Sequence, residues 1–223
     1  MDVHRWDCNA GGGRKGVRLG TYARSVSTAR LETFADGVFA IAATLLILDV
    51  RADAQHGHRL AHALEHGWPQ YAAYAVSFLT IGIMWVNHHA CFAQIGRVDR
   101  RLLFINVAFL ACVAFVPFPT RLVAEHLRDD GLRAAAIAYG LTLIATSIGF
   151  VAFWFYAALG RRLIRADADQ RVVSGISRTF APGVPLYVSA TLAALWSPTA
   201  AVSLFAAIAA FYVLESSLFG KGA

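Results

Sequence analysis

The sequence predicts an all-α integral membrane protein with six membrane-spanning helices. Of its 223 residues, 57% are hydrophobic and only 15% are charged, whereas about a quarter of the residues of a soluble domain are charged. The charged residues also cluster, because none occurs between Glu65 and Arg97, Arg101 and Arg121, Arg133 and Arg161, or Arg178 and Glu215. Each interval can hold a helix of about 20 residues, which crosses roughly 30 Å of hydrocarbon.

The first predicted helix, near residues 29–50, is fully apolar only in its second half. It reads RLETFADGVFAIAATLLILDV, so that charged residues stand in its first turns. In the second half, side chains at i, i+3, i+4 and i+7 share one face, and these are Ile41, Thr44, Leu45 and Leu48. Asp36 lies about 140° around the helix from Ile41 and therefore points elsewhere.

Asp36 is a candidate functional residue, because an ionisable side chain in a membrane span costs a few kcal/mol unless it is paired or hydrated. The second predicted helix, near 69–94, offers Trp85, Asn87, His88 and His89 in the stretch MWVNHH. The third, near 102–124, offers Asn106. Two interpretations remain open: a polar clamp that holds three helices together, which we prefer, and a direct ion or proton relay through Asp36.

The remaining helices are predicted near 133–160, 179–196 and 199–219. The last two share one charge-free interval that the turn residues of WSPTA divide at Ser197 and Pro198. With a cytoplasmic N-terminus, fifteen of the 20 Lys and Arg residues fall on the inner side. The positive-inside rule therefore places both termini in the cytoplasm. These basic residues flank the spans and form no aromatic-interleaved patch, so no nucleic-acid partner is expected.

Two segments outside the spans have distinctive compositions. Residues 1–27, with the stretch GGGRKG, predict a disordered cytoplasmic tail before a six-helix domain at 28–220. In HGHRLAHALEHGW, His58, His62 and His66 are spaced four residues apart. Such histidines suit a zinc site or an external pH sensor, but a hydrated amphipathic linker is the preferred interpretation and no metal is expected.

Three motifs resemble the transmembrane protein 175 family of potassium channels. The family's first helix carries an arginine, then Phe-Ser-Asp, then a run close to GVFAIAxTLLxL, and the matching residues here are Arg30, Phe34, Ala35, Asp36, Gly37, Val38, Phe39, Ala40, Ile41, Thr44 and Leu45. WVNHH resembles the family's Trp-x-x-His-His, and INVAFLACVAFVPFPT resembles its third helix. Ala35 stands where the motif has serine, so one hydroxyl group is missing. The hydrogen bonding around Asp36 is therefore left open.

The resemblance implies a homotetramer whose four first helices line one central pore for potassium ions, with no re-entrant filter and no cofactor. By position, Ile41 matches the family's constricting isoleucine, with Leu45 and Leu48 as further apolar layers. Thr44 matches the threonine that is associated with potassium preference. The supporting polar network behind the pore would comprise Arg30, Asp36, Trp85, His88 and Asn106.

Physical reasoning fits this pore face independently. An isoleucine ring can close a narrow pore by dewetting, because ions gain no partner there. Asp49, at the outer end of the first helix, could give a ring of four carboxylates that concentrates cations at the pore mouth. The alternative for Ile41, Leu45 and Leu48 is ordinary packing against lipid or core. The many Ala and Arg residues, typical of a GC-rich bacterial genome, suggest that the protein is bacterial. We therefore expect it in the plasma membrane.

Two other classes of membrane protein compete with the channel. A proton-coupled secondary transporter would use Asp36 and His88 as its relay, and the stretch APGVP at 181–185 is the kind of break that marks a transporter site. No inverted repeat supports it, however. An intramembrane enzyme is not expected, because neither Gly-x-Ser-x-Gly nor His-Glu-x-x-His occurs.

Overall fold

The structure is a computed structural model that describes residues 28–50 and 64–219. Most of these residues are helical. In chain order they are α1 (Thr28–Leu45, extended by a 3₁₀ turn at Leu46–Asp49), α2 (Trp68–Gln94), α3 (Arg100–Phe115), α4 (Pro117–His126), α5 (Leu132–Ala158, followed by a 3₁₀ turn at Leu159–Arg161), α6 (Gln170–Phe180), α7 (Gly183–Ala193) and α8 (Pro198–Phe219). Within these ranges the β-structure is limited to one isolated bridge, between Ile95 and Ile164. The predicted tail at 1–27 and the end of the predicted domain at 220 lie outside the described residues.

Within the described residues, five helical stretches are long and apolar enough to cross a membrane. They are Thr28–Asp49, Trp68–Gln94, Arg100–His126, Leu132–Arg161 and Pro198–Glu215. Arg100–His126 joins α3 and α4, which meet at Val116 because Pro117 has no N–H to continue the α-helical hydrogen bonds. These stretches correspond to five of the six predicted spans. The all-α membrane-protein class is therefore confirmed.

The stretch near 179–196, predicted as one helix, differs from that prediction. It contains the end of α6 and all of α7, with Ala181 and Pro182 between them. Pro182 and Pro185 both lack the amide hydrogen that a continuous helix would use. A new helix starts where the N–H of Leu186 donates to the carbonyl oxygen of Pro182 at 3.0 Å. Each of the two helices is 11 residues long, which is too short to cross a bilayer alone.

Helix α5 is the centre of the bundle and packs against α3, α4, α6, α7 and α8. Its buried side chains include Phe150, Phe153 and Trp154. Small residues allow close approach to neighbouring helices, as is common between helices in membranes. A Cβ atom on Gly140 would lie 2.9 Å from both Thr191 and Phe205 side-chain atoms. Only glycine therefore fits where α5 meets α7 and α8.

The connections after α2 and after α5 are tied together at one end of the bundle. The N–H of Gly96 donates to Leu163 at 2.9 Å, beside the Ile95–Ile164 bridge. Asp99 accepts hydrogen bonds from the N–H of Leu102, the hydroxyl of Tyr156 and the guanidinium of Arg162. Partial burial raises the pKa of Asp99, but these three donors outweigh it and hold the pKa below its usual value.

Candidate functional site

Helix α1 buries one face against the rest of the protomer. Its buried side chains are spaced four, four, three and four residues apart: Leu31, Ala35, Phe39, Ala42 and Leu46. This spacing forms a single stripe along a helix, and α1 packs through it against α2 and α3. Ala35, which replaces the serine of the motif, is fully buried in this stripe.

The opposite face of α1 is apolar and exposed on the isolated protomer. Ile41, Leu45 and Leu48 have exposed fractions of 61%, 42% and 66%. Thr44 is exposed on the same side of the helix. The four residues that were predicted to share one face therefore form one exposed surface, which we call the apolar face of α1. Such a surface must be covered by lipid or by other copies of the chain, or line a pore.

The hydroxyl of Thr44 is held by its own helix. Its Oγ1 lies 2.9 Å from the carbonyl oxygen of Ala40 and 3.0 Å from that of Ile41. Because those oxygens only accept, the hydroxyl hydrogen is directed at the backbone. The lone pairs of Oγ1 consequently remain available to a cation on the exposed side.

The end of α1 tightens before Asp49. Residues Leu46–Asp49 form a 3₁₀ turn instead of the α-helix predicted up to residue 50. Asp49 lies beside Arg121 of α4, with 3.9 Å between Oδ1 and Nη1. Arg121 also binds Glu125 at 2.7 Å. The carboxylate that was predicted for a pore mouth thus has a cationic neighbour.

Two polar contacts connect α1 to α2, and we call them the α1–α2 ladder. The indole Nε1 of Trp85 donates to Oδ1 of Asp36 at 2.8 Å. One turn away, Nδ1 of His89 lies 2.9 Å from Oε1 of Glu32. Because Trp85 and His89 are also stacked, with centroids 6.3 Å apart, the two contacts reinforce each other. His89 is 63% exposed, so the ladder lies at the protomer surface.

His88 and Asn106 form a separate, fully buried pair between α2 and α3. Nε2 of His88 lies 2.8 Å from Oδ1 of Asn106, and since that oxygen only accepts, Nε2 carries the proton. Four phenylalanine rings surround the imidazole with centroids 4.7–5.7 Å away: Phe39, Phe92, Phe109 and Phe153. In the described part of the chain, Nδ1 of His88 and Nδ2 of Asn106 have no hydrogen-bond partner.

The residues predicted to form one supporting network therefore fall into two groups. Asp36 is joined to Trp85, whereas His88 is joined to Asn106. Arg30 lies in the first turn of α1 and is exposed. The relay that a transporter would need, from Asp36 to His88, joins residues whose hydrogen bonds go to different partners.

Sequence reasoning left Glu32 and Arg121 out of the candidate site, and it offered His89 as a partner of Asp36 instead of Glu32. A signal for the contact between Glu32 and His89 existed, because Glu32 and Asp36 are spaced i, i+4 on α1 and Trp85 and His89 are spaced i, i+4 on α2. Arg121 follows an apolar run and gave no comparable signal. The four phenylalanine rings around His88 come from residues far apart in sequence. No local pattern could therefore predict that they meet.

The histidine segment between α1 and α2 is only partly described. His58 and His62 lie outside the described residues, and His66 lies just before α2. Among the residues that are described, no group of three or more His, Cys, Asp or Glu side chains is arranged to hold a metal ion.

The chain is similar to known channel proteins. A family model described as the endosomal/lysosomal potassium channel TMEM175 matches residues 30–117, which include most of α1 and all of α2 and α3. A protein of Streptomyces collinus named a potassium channel is 48% identical over 158 residues, covering 69% of this chain and 76% of the relative. A Chamaesiphon minutus protein, also named a potassium channel, is 38% identical over 194 residues, covering 85% and 95%.

A solved structure extends the similarity to the fold. The crystal structure of a Chamaesiphon minutus protein, described as a lysosomal potassium-selective channel TMEM175 homolog, superimposes with a TM-score of 0.76. The two are 36% identical, and the superposition covers 85% of this chain and 97% of the other.

Proposed function

The chain belongs to the TMEM175 family of channels, and we propose that it is a potassium-selective leak channel of a bacterial plasma membrane. Four copies would assemble with the four α1 helices around a central axis. Each apolar face of α1 would line the pore. The single observation that carries this proposal is the exposure of Ile41, Leu45 and Leu48 on a helix whose opposite side is buried.

We propose that the pore closes where water leaves its narrowest part. A ring of four Ile41 side chains offers neither hydrogen bonds nor charge, so a narrow ring loses its water and an ion there loses its hydration shell. Leu45 and Leu48 add two more apolar layers on the same face. Selection would then reside in side chains on α1 and would need no re-entrant filter loop.

Thr44 is the proposed source of potassium preference. Four Thr44 residues would place four Oγ1 atoms within one turn of the Ile41 ring. Because each hydroxyl hydrogen is directed at the carbonyl oxygens of Ala40 and Ile41, each oxygen would present lone pairs to the axis. Such oxygens replace part of a hydration shell, and their number and spacing favour one cation over another.

Asp49 is the proposed residue of the pore mouth, in a modified role. Because Arg121 lies 3.9 Å from Asp49, a ring of four such residues would alternate in charge and attract cations less strongly than bare carboxylates. The exposed fraction of both side chains further reduces the effect through solvent screening. We therefore expect Asp49 to tune cation entry without determining selectivity.

The α1–α2 ladder and the buried pair are proposed to support the pore helix. Asp36 fixes the rotation of α1 through Trp85, so the apolar face keeps its direction. His88 and Asn106 hold α2 to α3 behind α1, with Phe39 of α1 against the imidazole. This role of Asp36 corresponds to the polar clamp, and a proton relay is not required.

The proposed membrane arrangement keeps six crossings and both termini in the cytoplasm. Five crossings are the long apolar stretches, and the sixth would be formed by the end of α6 and all of α7, bent at Ala181 and Pro182. With this arrangement, the basic residues near Asp99 and around α6 face the cytoplasm.

The experiment that tests the proposed function is current recording from the purified full chain in a planar bilayer. We expect a cation current whose reversal potential follows the potassium equilibrium potential when sodium is present on the other side. A transporter would instead give a far smaller flux that depends on a proton gradient. A current that follows the chloride equilibrium potential, or no current above that of the bilayer alone, would contradict the proposal.

A further inference from the structure

A deep apolar groove opens on the protomer where α2 and α8 begin. It has a volume of about 430 Å³, which is within the range of ligand sites of roughly 300–1,000 Å³. Its apolar lining comes from three helices and includes Ala72, Ala73, Val76, Val123, Val202 and Ala206. The small residues on α2 and α8 leave the space open.

Three hydroxyl groups in the groove are hydrogen-bonded to one another. Oγ1 of Thr120 donates to Oγ of Ser77 at 2.8 Å, and Ser77 lies 3.1 Å from the hydroxyl of Tyr139. Apart from Arg128 at its mouth, the lining of the groove carries no charged side chain, so a ligand inside it would gain chiefly from apolar contact. In a membrane protein, the abundant molecule with this property is an acyl chain.

The mouth of the groove leads to a polar depression of about 560 Å³ between α4, α5 and α8. Leu127, Arg128 and Thr199 line both cavities. The guanidinium of Arg128 lies 5.5 Å from the ring centroid of Trp68. Tryptophan and arginine at the end of a span are typical of the level of the lipid headgroups. The depression is therefore placed where a lipid headgroup would bind, and the groove where its acyl chain would bind.

Charges of both signs surround the depression. Arg128 and Arg133 provide two cations, and Asp129 and Asp130 provide two carboxylates. All four residues are exposed. A hydrogen bond from His126 and another from the N–H of Gly131 hold the pKa of Asp129 below its usual value, so this carboxylate is ionised at neutral pH.

We infer that the groove and the depression together bind one phospholipid with a primary-amine headgroup, of the phosphatidylethanolamine class. Arginine matches a phosphate group through paired N–H donors. A primary ammonium can donate hydrogen bonds to Asp129 and Asp130. Phosphatidylglycerol provides no cation for these aspartates, and the quaternary ammonium of phosphatidylcholine has no N–H to donate. The site does not depend on the proposed pore, because its residues lie outside α1.

The test uses native mass spectrometry of the detergent-purified full chain. It is titrated with dioleoyl-phosphatidylethanolamine, dioleoyl-phosphatidylglycerol and dioleoyl-phosphatidylcholine. We expect phosphatidylethanolamine to bind about tenfold more tightly than the other two, the equivalent of one charge-assisted hydrogen bond. Equal binding of the three lipids would overturn the assignment of the headgroup.

Variants separate the headgroup from the chain. Arg128→Gln should weaken phosphatidylethanolamine binding about tenfold. Arg128→Lys keeps the charge but loses the paired donors and should weaken binding less than Arg128→Gln does. Arg100→Gln, at an arginine outside the depression, should change nothing. Ala72→Phe on α2 and Ala206→Phe on α8 each fill the groove. Each variant should weaken the binding of all three lipids to the same extent. Thermal unfolding of each variant shows that it is folded.

Two results would overturn the site as a whole. One is a folded Ala72→Phe or Ala206→Phe variant that binds lipid as tightly as the unmodified chain. The other is efficient disulfide cross-linking between copies that carry Ala72→Cys in native membranes, which would make a second copy of the chain the occupant of the groove.

Discussion

The two faces of α1 are made of similar residues but meet different surroundings. The buried face consists of Leu31, Ala35, Phe39, Ala42 and Leu46, and the exposed face includes Ile41, Leu45 and Leu48. Both are apolar, so hydrophobicity does not distinguish them. What differs is the surroundings: the buried face meets α2 and α3, while the exposed face is left largely uncovered by the part of the chain that the structure describes.

The few polar residues of α1 offer a physical reason for the direction in which each face points. Asp36 and Glu32 contact α2 through Trp85 and His89. We propose that these contacts fix the rotation of α1 and thereby decide which apolar face is buried. The predictions that follow test the two faces separately, and they are ordered from the largest expected effect to the smallest.

Phe39→Ala should cause the largest loss of stability. Phe39 lies 5.4 Å from His88 and 6.0 Å from Phe109 between ring centroids, so truncation leaves a cavity in the core. Large-to-small changes of this kind cost about 3–5 kcal/mol of unfolding free energy. Denaturant unfolding in micelles measures the loss. The matched control is Ile41→Ala on the exposed face, which should cost about 0.5 kcal/mol. Equal losses would show that both faces are packed.

Asp36→Ala should have an intermediate effect. It removes a hydrogen bond to a charged group, which is worth about 1.5–3 kcal/mol. Trp85→Phe removes the donor and keeps an aromatic ring, so the double variant should lose less than the sum of the single losses. Glu32→Ala, in the more exposed contact with His89, should cost about 0–1 kcal/mol. Strictly additive losses for Asp36 and Trp85 would mean that their hydrogen bond does not hold α1.

Ile41→Asn should change conduction more than stability. A polar side chain at the constriction gives water and ions a partner there, so the resting current should rise several-fold and potassium selectivity should weaken. Current recording under mixed potassium and sodium gradients measures both quantities. Leu141→Asn places the same side chain at an exposed position of α5 and should leave the current unchanged. If the two variants behave alike, exposure of Ile41 means contact with lipid.

Thr44→Val should have the smallest effect, confined to selectivity. It keeps the shape of the side chain and removes the oxygen that faces the axis, so the potassium-to-sodium permeability ratio should fall a few-fold with little change in current. Thr33→Val is a closely matched control, because Thr33 is also exposed on α1 and its hydroxyl likewise bonds to the carbonyl four residues before it. An equal shift of the reversal potential in both variants would exclude a special role for Thr44.

The sequence predicted the long membrane helices well because the signal is simple. A long apolar stretch can satisfy its backbone in a bilayer only as a helix, and five of the predicted stretches agree with the described part of the structure. The interruption between α6 and α7 was harder to predict, although the stretch APGVP contains the two prolines that cause it. Apolar composition alone favoured a continuous helix, whereas the missing amide hydrogens of Pro182 and Pro185 favoured two.

The candidate site was predictable in its residues but not in its pairing. A carboxylate and several polar side chains in membrane spans are conspicuous, so Asp36, Trp85, His88 and Asn106 could be named. Which of them touch depends on the rotation of each helix, and a rotation of one residue is about 100°. In the structure, Asp36 is hydrogen-bonded to Trp85, and His88 to Asn106. The ring cage around His88 depends on Phe153 of α5, which no pattern in α1 or α2 reveals.

Cysteine accessibility along α1 tests most directly whether its apolar face lines a water-filled pore. In a background without the chain's three native cysteines, Ile41→Cys, Thr44→Cys, Leu45→Cys and Leu48→Cys are each treated in bilayers with a charged, water-soluble thiol reagent during current recording. Phe39→Cys and Ala42→Cys represent the buried face, and Leu141→Cys represents an exposed position of α5 that we expect to face lipid. We predict that the first four are modified and that modification blocks the current, while the other three are not reached. Modification of the first four by lipid-soluble reagents alone would contradict the pore.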